Sequence, residues 1–264
     1  MRAVILAAGR GSRLNGESSN TPKCLVKVGG VSLIQRQIDA LHACGVHDIV
    51  IVVGCNANQV REHCGPGVRY VENPQYASTN SLYSLWMARH LLADGFVVMN
   101  CDVLFHPRLL DDLLTARDKD ALLIAYREDA AEAFGDEEMK VKVRRGCVVD
   151  MSKEMDPAEA DGENLGVVRF SAEAARLLVP ILDRIVAAGR VREWAPRAFL
   201  QFAQARPLHA IGTRGLPWTE IDFPEDYQRA VNEVLPAIEA DALARNAYDD
   251  DHAPLAATGT KSLA

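Results

Sequence analysis

Only six of the 264 residues are cysteine, and Cys24, Cys44, Cys55, Cys64, Cys101 and Cys147 contain no CxxC pair. That scatter excludes a spaced zinc site and a disulfide framework, and leaves thiols expected to lie buried in a reducing compartment. The seven histidines show no HExxH spacing, which removes the zinc-hydrolase motif. No apolar run approaches the ~18–20 residues that a membrane helix requires. The stretch Ala3 to Ala8 is too short for a secretory signal, so the expected location is the cytoplasm. Positive charge is also in deficit, with 29 Lys plus Arg against 36 Asp plus Glu, a net charge of −7. Such a chain has no general attraction for nucleic acid or an anionic membrane. Any phosphate chemistry on it must rest on a local cluster of cations.

What is present is ordinary globular material, 48% apolar and 25% charged. Short β-branched runs, such as Asp48 to Val53 and Phe96 to Met99, alternate with helical stretches of period 3.6. One such stretch is capped by Ser32 and stopped by Gly45. Alternation of this kind predicts βαβ crossovers, hence a doubly wound α/β fold with a mostly parallel sheet. After about residue 130 the texture changes. A hairpin around Arg145-Gly146, a strand over Gly162 to Phe170 and further helices follow. The expected organisation is one domain over 1–245: a core of about 1–130 and 205–245, and a smaller substrate-facing α+β insertion over about 130–205. From Asn246 to Ala264 the chain is polar, carries Asp249-Asp250-Asp251 and lacks periodicity, which predicts a tail.

In an open parallel sheet, ligands bind beyond the carboxyl ends of the strands. Three such ends carry polar residues: Gly9-Arg10-Gly11-Ser12-Arg13, Asn100-Cys101-Asp102, and Glu220-Ile221-Asp222. The first is not a Walker A loop, and Leu14 stands where a dinucleotide fingerprint needs glycine. That disfavours an NAD-dependent oxidoreductase. A strand and turn remain, whose backbone N–H groups can face phosphate, with Arg10, Arg13 and Lys23 supplying charge. Asp102 and Asp222, each by itself no more than a loop or capping carboxylate, together make the oxygen pair that Mg²⁺ takes.

Leu6-Ala7-Ala8-Gly9-x-Gly11-Ser12-Arg13-Leu14, Thr21-Pro22-Lys23 and the aspartate after the central strand resemble the signature of the sugar-phosphate nucleotidyltransferase superfamily. Asn73-Pro74-Gln75-Tyr76, Thr79 to Leu85 and Trp218-x-Glu220-Ile221-Asp222-x-x-x-Asp226-Tyr227 are more similar to bacterial phosphocholine and phosphonate cytidylyltransferases. The resemblance covers roughly residues 1–235. Thr79-Asn80-Ser81 stands where many sugar-1-phosphate members carry a Gly-Thr-Ala segment, which argues against a sugar substrate.

The resemblance implies a Rossmann-like fold, CTP or another nucleoside triphosphate as donor, Mg²⁺ as cofactor and a small phosphate- or phosphonate-bearing acceptor. Homodimerisation stays open. It also implies roles: Arg13 on the β- and γ-phosphates with Arg10 assisting, Lys23 on the α-phosphate, Asp102 and Asp222 on metal. Leu6, Ala7, Ala8, Gly9, Gly11 and Ser12 would line the nucleotide, with Gln75 and Asn80 as readers of the base. Aromatic faces and carboxylates suit an ammonium-bearing acceptor, and Tyr76, Tyr83, Glu163, Trp194, Trp218 and Glu220 are the candidates. A hexose-1-phosphate uridylyltransferase of the same fold and a non-catalytic homologue are the alternatives. The second is disfavoured because Lys23, Asp102 and Asp222 are all retained.

Overall fold

A computed structural model describes residues 1–15, 21–129, 134–135 and 137–251. The chain opens with β1 (Arg2–Ala7), a single turn α1 (Ser12–Asn15), the small ribbon β2 (Lys27–Val28) and β3 (Val31–Ser32), and α2 (Leu33–Ala43). The Ser32 hydroxyl accepts from Gln35 N at the start of α2, as its spacing predicts. Then come β4 (Asp48–Val53), α3 (Ala57–Cys64), β5 (Arg69–Glu72), α4 (Ser81–Met87), β6 (Phe96–Asn100), β7 (Val103–Phe105), α5 (Pro107–Thr115) and β8 (Ala121–Tyr126). The hairpin is β9 (Lys140–Arg144) and β10 (Cys147–Ser152), followed by β11 (Gly162–Phe170), α6 (Ala172–Ala187) and α7 (Pro196–Ala205). The chain closes with β12 (His209–Gly212), β13 (Trp218–Glu220), α8 (Pro224–Arg229) and α9 (Leu235–Asp251).

The main sheet has the order β5-β4-β1-β6-β11-β8-β12-β10-β9. Strands β5, β4, β1, β6, β8, β12 and β9 point one way, and β11 and β10 run against them. The sheet is therefore mostly parallel in direction but mixed in pairing. β9 also returns to pair with the start of β11, so β11, β8, β12, β10 and β9 close into a ring.

Alternation along β1 shows why the fold is doubly wound. Ala3, Ile5 and Ala7 enter one core with apolar residues of α2, α3 and α5, whereas Val4 and Leu6 enter a second with those of α4, α6 and α7. A strand apolar on every residue has to be covered on both faces, and each large side chain so buried contributes about 1.5–3 kcal/mol. Within 130–205, β11 and helices α6 and α7 belong to this main body, while the β9–β10 hairpin extends it. One boundary differs from the sequence reading. α9 runs through Asp251, so residues beyond Asn246 are helical where a tail was expected. Alanine-rich sequence has high helix propensity without an apolar stripe, and periodicity does not detect it. Residues 252–264 of the expected tail, and Glu132 and Asp136 of the insertion, lie outside the described residues.

Candidate active site

The three polar strand ends meet. β13 pairs antiparallel with β7, setting Glu220 opposite Val103, and Ile221 N donates to the Asp102 carbonyl at 3.0 Å. Asp222 is thereby placed beside Asp102. The Asp226 carboxylate fixes its backbone, accepting from Asp222 N at 2.9 Å and Phe223 N at 2.8 Å. Lys23 starts a one-turn helix behind Pro22 and is only 7% exposed. Gly11 covers its stem. With φ of +66°, and Lys23 Cβ 2.8 Å from where a Cβ would stand, no other residue fits there without displacing Lys23.

Lys23 Nζ donates to Asp102 Oδ2 at 2.7 Å and also to Asp222 Oδ1. Burial alone depresses an ammonium pKa; the charges of Asp102 and then Asp222 outweigh it and hold Lys23 above the usual lysine range. Glu220 completes a triad of carboxylates whose ligand atoms lie within 4.8 Å of one another. Burial, reinforced by Asp102 and Asp222, pushes the Glu220 carboxyl well above its ordinary value. The Asp102 Oδ1 atom is buried and has no hydrogen-bond partner among the described residues. An orphaned carboxylate oxygen beside two further carboxylates fits a hard divalent cation, which takes oxygen ligands. Magnesium would be held by Asp102 and Asp222, with Glu220 adjacent.

These groups floor a cleft of about 340 Å³. Of the residues singled out in the sequence, Leu6, Ala8, Gly9, Arg10, Gly11, Arg13, Lys23, Tyr76, Asn80, Asp102, Trp194, Glu220 and Asp222 line it. Arg13 pairs with Glu137 Oε2 at 3.0 Å and lies 3.8 Å from Asp222 Oδ2, while Arg10 stacks 5.6 Å from the Tyr76 ring centre. Asn80 caps α4 by accepting from Ser81 N. The Ser81 hydroxyl accepts from Ala195 N at 2.8 Å, which anchors the loop carrying Trp194.

Other expected site residues do not line this cleft. Ala7 points into the opposite core, because alternate residues of β1 face opposite ways. Gln75 is exposed, its backbone N–H bound to Asn73 Oδ1 in the loop turn. Tyr83 stacks on Trp86 with ring centres 5.1 Å apart. The Ser12 side chain lies outside the described residues. Glu163 and Trp218 line a smaller neighbouring recess of about 140 Å³ with Glu138, Phe223 and Arg229. Burial first and then Glu138 raise the Glu163 carboxyl to about 7. The recess shares Glu137, Glu220 and Asp222 with the main cleft. Sequence reasoning missed Glu137, Met139, Lys153 and Asn164, all on the cleft wall. Asn164 was adjacent to a chosen residue, but Glu163 and Asn164 face opposite sides of β11 and only one reaches the cleft.

Residues 3–138 match the model of the MobA-like NTP transferase domain. The chain belongs to that family. Choline-phosphate cytidylyltransferase of Streptococcus pneumoniae is 34% identical over 89% of this chain and 98% of its own length. A bifunctional IPC transferase and DIPP synthase of Rubrobacter xylanophilus is 31% identical over 88% of this chain, which spans 52% of that protein. The CMP-5'-(3-aminopropyl)phosphonate synthase of Streptomyces rubellomurinus is 38% identical over 46% of this chain and 20% of its own length. As a MobA-like NTP transferase, the protein is a nucleotidyltransferase. Among its described residues no helix is long and apolar enough to cross a membrane.

Proposed function

We propose that the protein transfers CMP from CTP to an oxygen of a small phosphate or phosphonate that also carries an ammonium group, releasing pyrophosphate. The acceptor oxygen forms a bond to the α-phosphorus as the bond from that phosphorus to the leaving pyrophosphate breaks. The acceptor arrives ionised, so the chain need not supply a general base, and positioning and charge neutralisation carry the rate. The observation that carries this reading is Lys23, an ammonium fixed at the cleft floor by two carboxylates. It would neutralise charge shared between the α-phosphate and the attacking oxygen. Arg13 and Arg10, at the glycine-loop end, would take the β- and γ-phosphates. Bound Mg²⁺ would supply further charge neutralisation to the triphosphate.

Two features support an ammonium on the acceptor. The similarity to the pneumococcal enzyme spans nearly both chains. Trp194 also already receives a cation: Lys153 Nζ lies 4.8 Å from its ring centre, with Glu137 Oε2 3.4 Å away. An aromatic face with an adjacent carboxylate is what an alkylammonium needs. The fold shared with the inositol-1-phosphate CTP transferase of T. maritima, 21% identical with a TM-score of 0.72, supplies the acceptor for a second reading, an inositol phosphate. Pyrophosphate release decides between them, measured for CTP, UTP, GTP and ATP against phosphocholine, phosphoethanolamine, 2-aminoethylphosphonate, inositol 1-phosphate and glucose 1-phosphate. The expected result is the highest kcat/KM for CTP with an ammonium-bearing acceptor. A polyol or sugar phosphate that outcompetes every amine overturns it.

A further inference from the structure

Gln37 is the one polar residue among the buried positions of α2, where its companions are Leu33, Ile34, Ile38, Ala40 and Leu41. It is 1% exposed. Its side chain leaves the helix for the turn that follows β6. There Nε2 donates to the Asn100 carbonyl at 2.8 Å and to the Val103 carbonyl at 3.1 Å. One amide thus holds both ends of the short segment that carries Asp102. Both partners are carbonyl oxygens, so only the NH₂ end of the amide can face them, which settles its orientation. The Gln37 Oε1 atom is buried at the other end and has no hydrogen-bond partner among the described residues. Buried acceptors are nearly always paired, and leaving one unpaired costs stability. An apolar residue would continue the stripe of α2 without that orphaned oxygen. The glutamine is therefore explained by what its donor end holds, and not by the core around it. Ile221 N, which donates to the Asp102 carbonyl, and the pairing of Val103 with Glu220 tie the same segment to β13. Gln37 ties it to the helix layer.

We propose that Gln37 is a positioning residue for the reaction: by holding the Asn100 and Val103 carbonyls it sets the backbone that aims the Asp102 carboxylate at a divalent cation. The inference rests on the reading above that Asp102 holds that cation. Magnesium demands near-ideal octahedral geometry, so a carboxylate carried on a shifted backbone binds it less well. Groups that stand behind metal ligands and orient them therefore count in metal affinity without touching the metal.

The test removes the donor and keeps most of the volume, in Gln37→Met and Gln37→Leu. Ile38→Val, on the same helix, is the control for lost packing alone, and Asp102→Asn the reference for loss of the ligand itself. Mn²⁺ is titrated into each protein in the presence of α,β-methylene-CTP and followed by electron paramagnetic resonance, and the same titration without protein is subtracted. No acceptor is present, so the result does not depend on which acceptor the protein uses. The expected result is that Mn²⁺ binds about 10-fold more weakly to both Gln37 variants and within about twofold of wild type to Ile38→Val. In turnover the Gln37 variants should lose kcat and regain most of it at raised Mg²⁺, with the KM for CTP within about threefold of wild type. A structural role would lower Tm without that rescue. If the Gln37 variants bind Mn²⁺ within about twofold of wild type while Asp102→Asn weakens it, the proposal is overturned. Loss of the folded state in both Gln37 variants also overturns it, since the residue would then serve the fold. If Asp102→Asn leaves the Mn²⁺ Kd unchanged, the cation is not on Asp102, and that reading falls together with the proposal.

Discussion

On one side of the cleft, β1 and β6 run parallel and deliver Leu6 to Arg13 and Asn100 to Asp102 from their carboxyl ends. On the other, the wall comes from antiparallel pairs: Met139 and Lys153 at the open end of the β9–β10 hairpin, and Asn164 on a bulged strand. The first side is organised by topology, since every strand end there points into the same crevice. The second is organised by register, where one residue's shift decides which side chain faces the ligand. We propose that the chemistry common to nucleotidyl transfer sits on the first side and acceptor choice on the second.

The largest effect that tests this division is at Lys23. Lys23→Ala should lower kcat/KM by a factor of order 10²–10³ for every acceptor used, because one transition-state charge contact is lost. Steady-state kinetics with at least two acceptors checks it. A loss that differs strongly between acceptors would mean that Lys23 belongs to acceptor choice and would break the division.

Asp102 and Asp222 come next. If they share one cation, Asp102→Asn and Asp222→Asn combined should cost far less than the product of the single losses, as for residues acting as a unit. EDTA should abolish activity, and added Mg²⁺ should restore it. Multiplicative losses, or activity retained in EDTA, would show two independent carboxylates instead.

The same division explains what could be read from the sequence. The meeting of Asp102 with the Gly9–Arg13 loop was legible because parallel strands β6 and β1 end at polar residues in one crevice, whereas Lys23 arrives on a one-turn helix and Asp222 after the antiparallel β13. The Ser32 cap and the Gly162–Phe170 strand were legible for local reasons. Tyr83 and Trp218 do not line the main cleft, since composition says which residues suit an ammonium but not where in the fold they lie. Tyr83 shares its helix with Trp86 and stacks on it, and Trp218, on the same face of β13 as Glu220, lines the smaller recess that shares Glu220 with the cleft. Asn164 was hidden by a bulge, a tertiary feature that the sequence around Gly166 signals only by the glycine itself.

A smaller effect separates the two tryptophans. Trp194→Ala should raise KM for phosphocholine by about 3- to 10-fold, within the range of a cation–π contact, and leave that for CTP within about twofold. Trp218→Ala, behind the carboxylates in the smaller recess, should change neither beyond about twofold. The reverse pattern would place the ammonium in the recess and redraw the acceptor side.

Glu163 gives the smallest effect on catalysis and the sharpest test of that recess. Its carboxyl titrates at about 7 because burial, then Glu138, disfavours the charged form. For a carboxyl raised in the folded state, stability is fully present below the unfolded value, near 4.3, and is lost as pH rises through the folded one. Between roughly pH 4.5 and 7 the protein should therefore lose stability from this group, by at most about 3 kcal/mol at 1.36 kcal/mol per pH unit. Glu163→Gln removes the charge, so its Tm relative to wild type should rise between pH 5 and pH 7, most steeply at about pH 5.5–6, and level off by about pH 8. Its KM values at pH 8 should remain within about twofold of wild type, since Glu163 does not line the cleft. A flat Tm difference across that range would show that the carboxyl titrates normally. A selective rise in the acceptor KM would show instead that the recess, with Trp218, is where the ammonium sits.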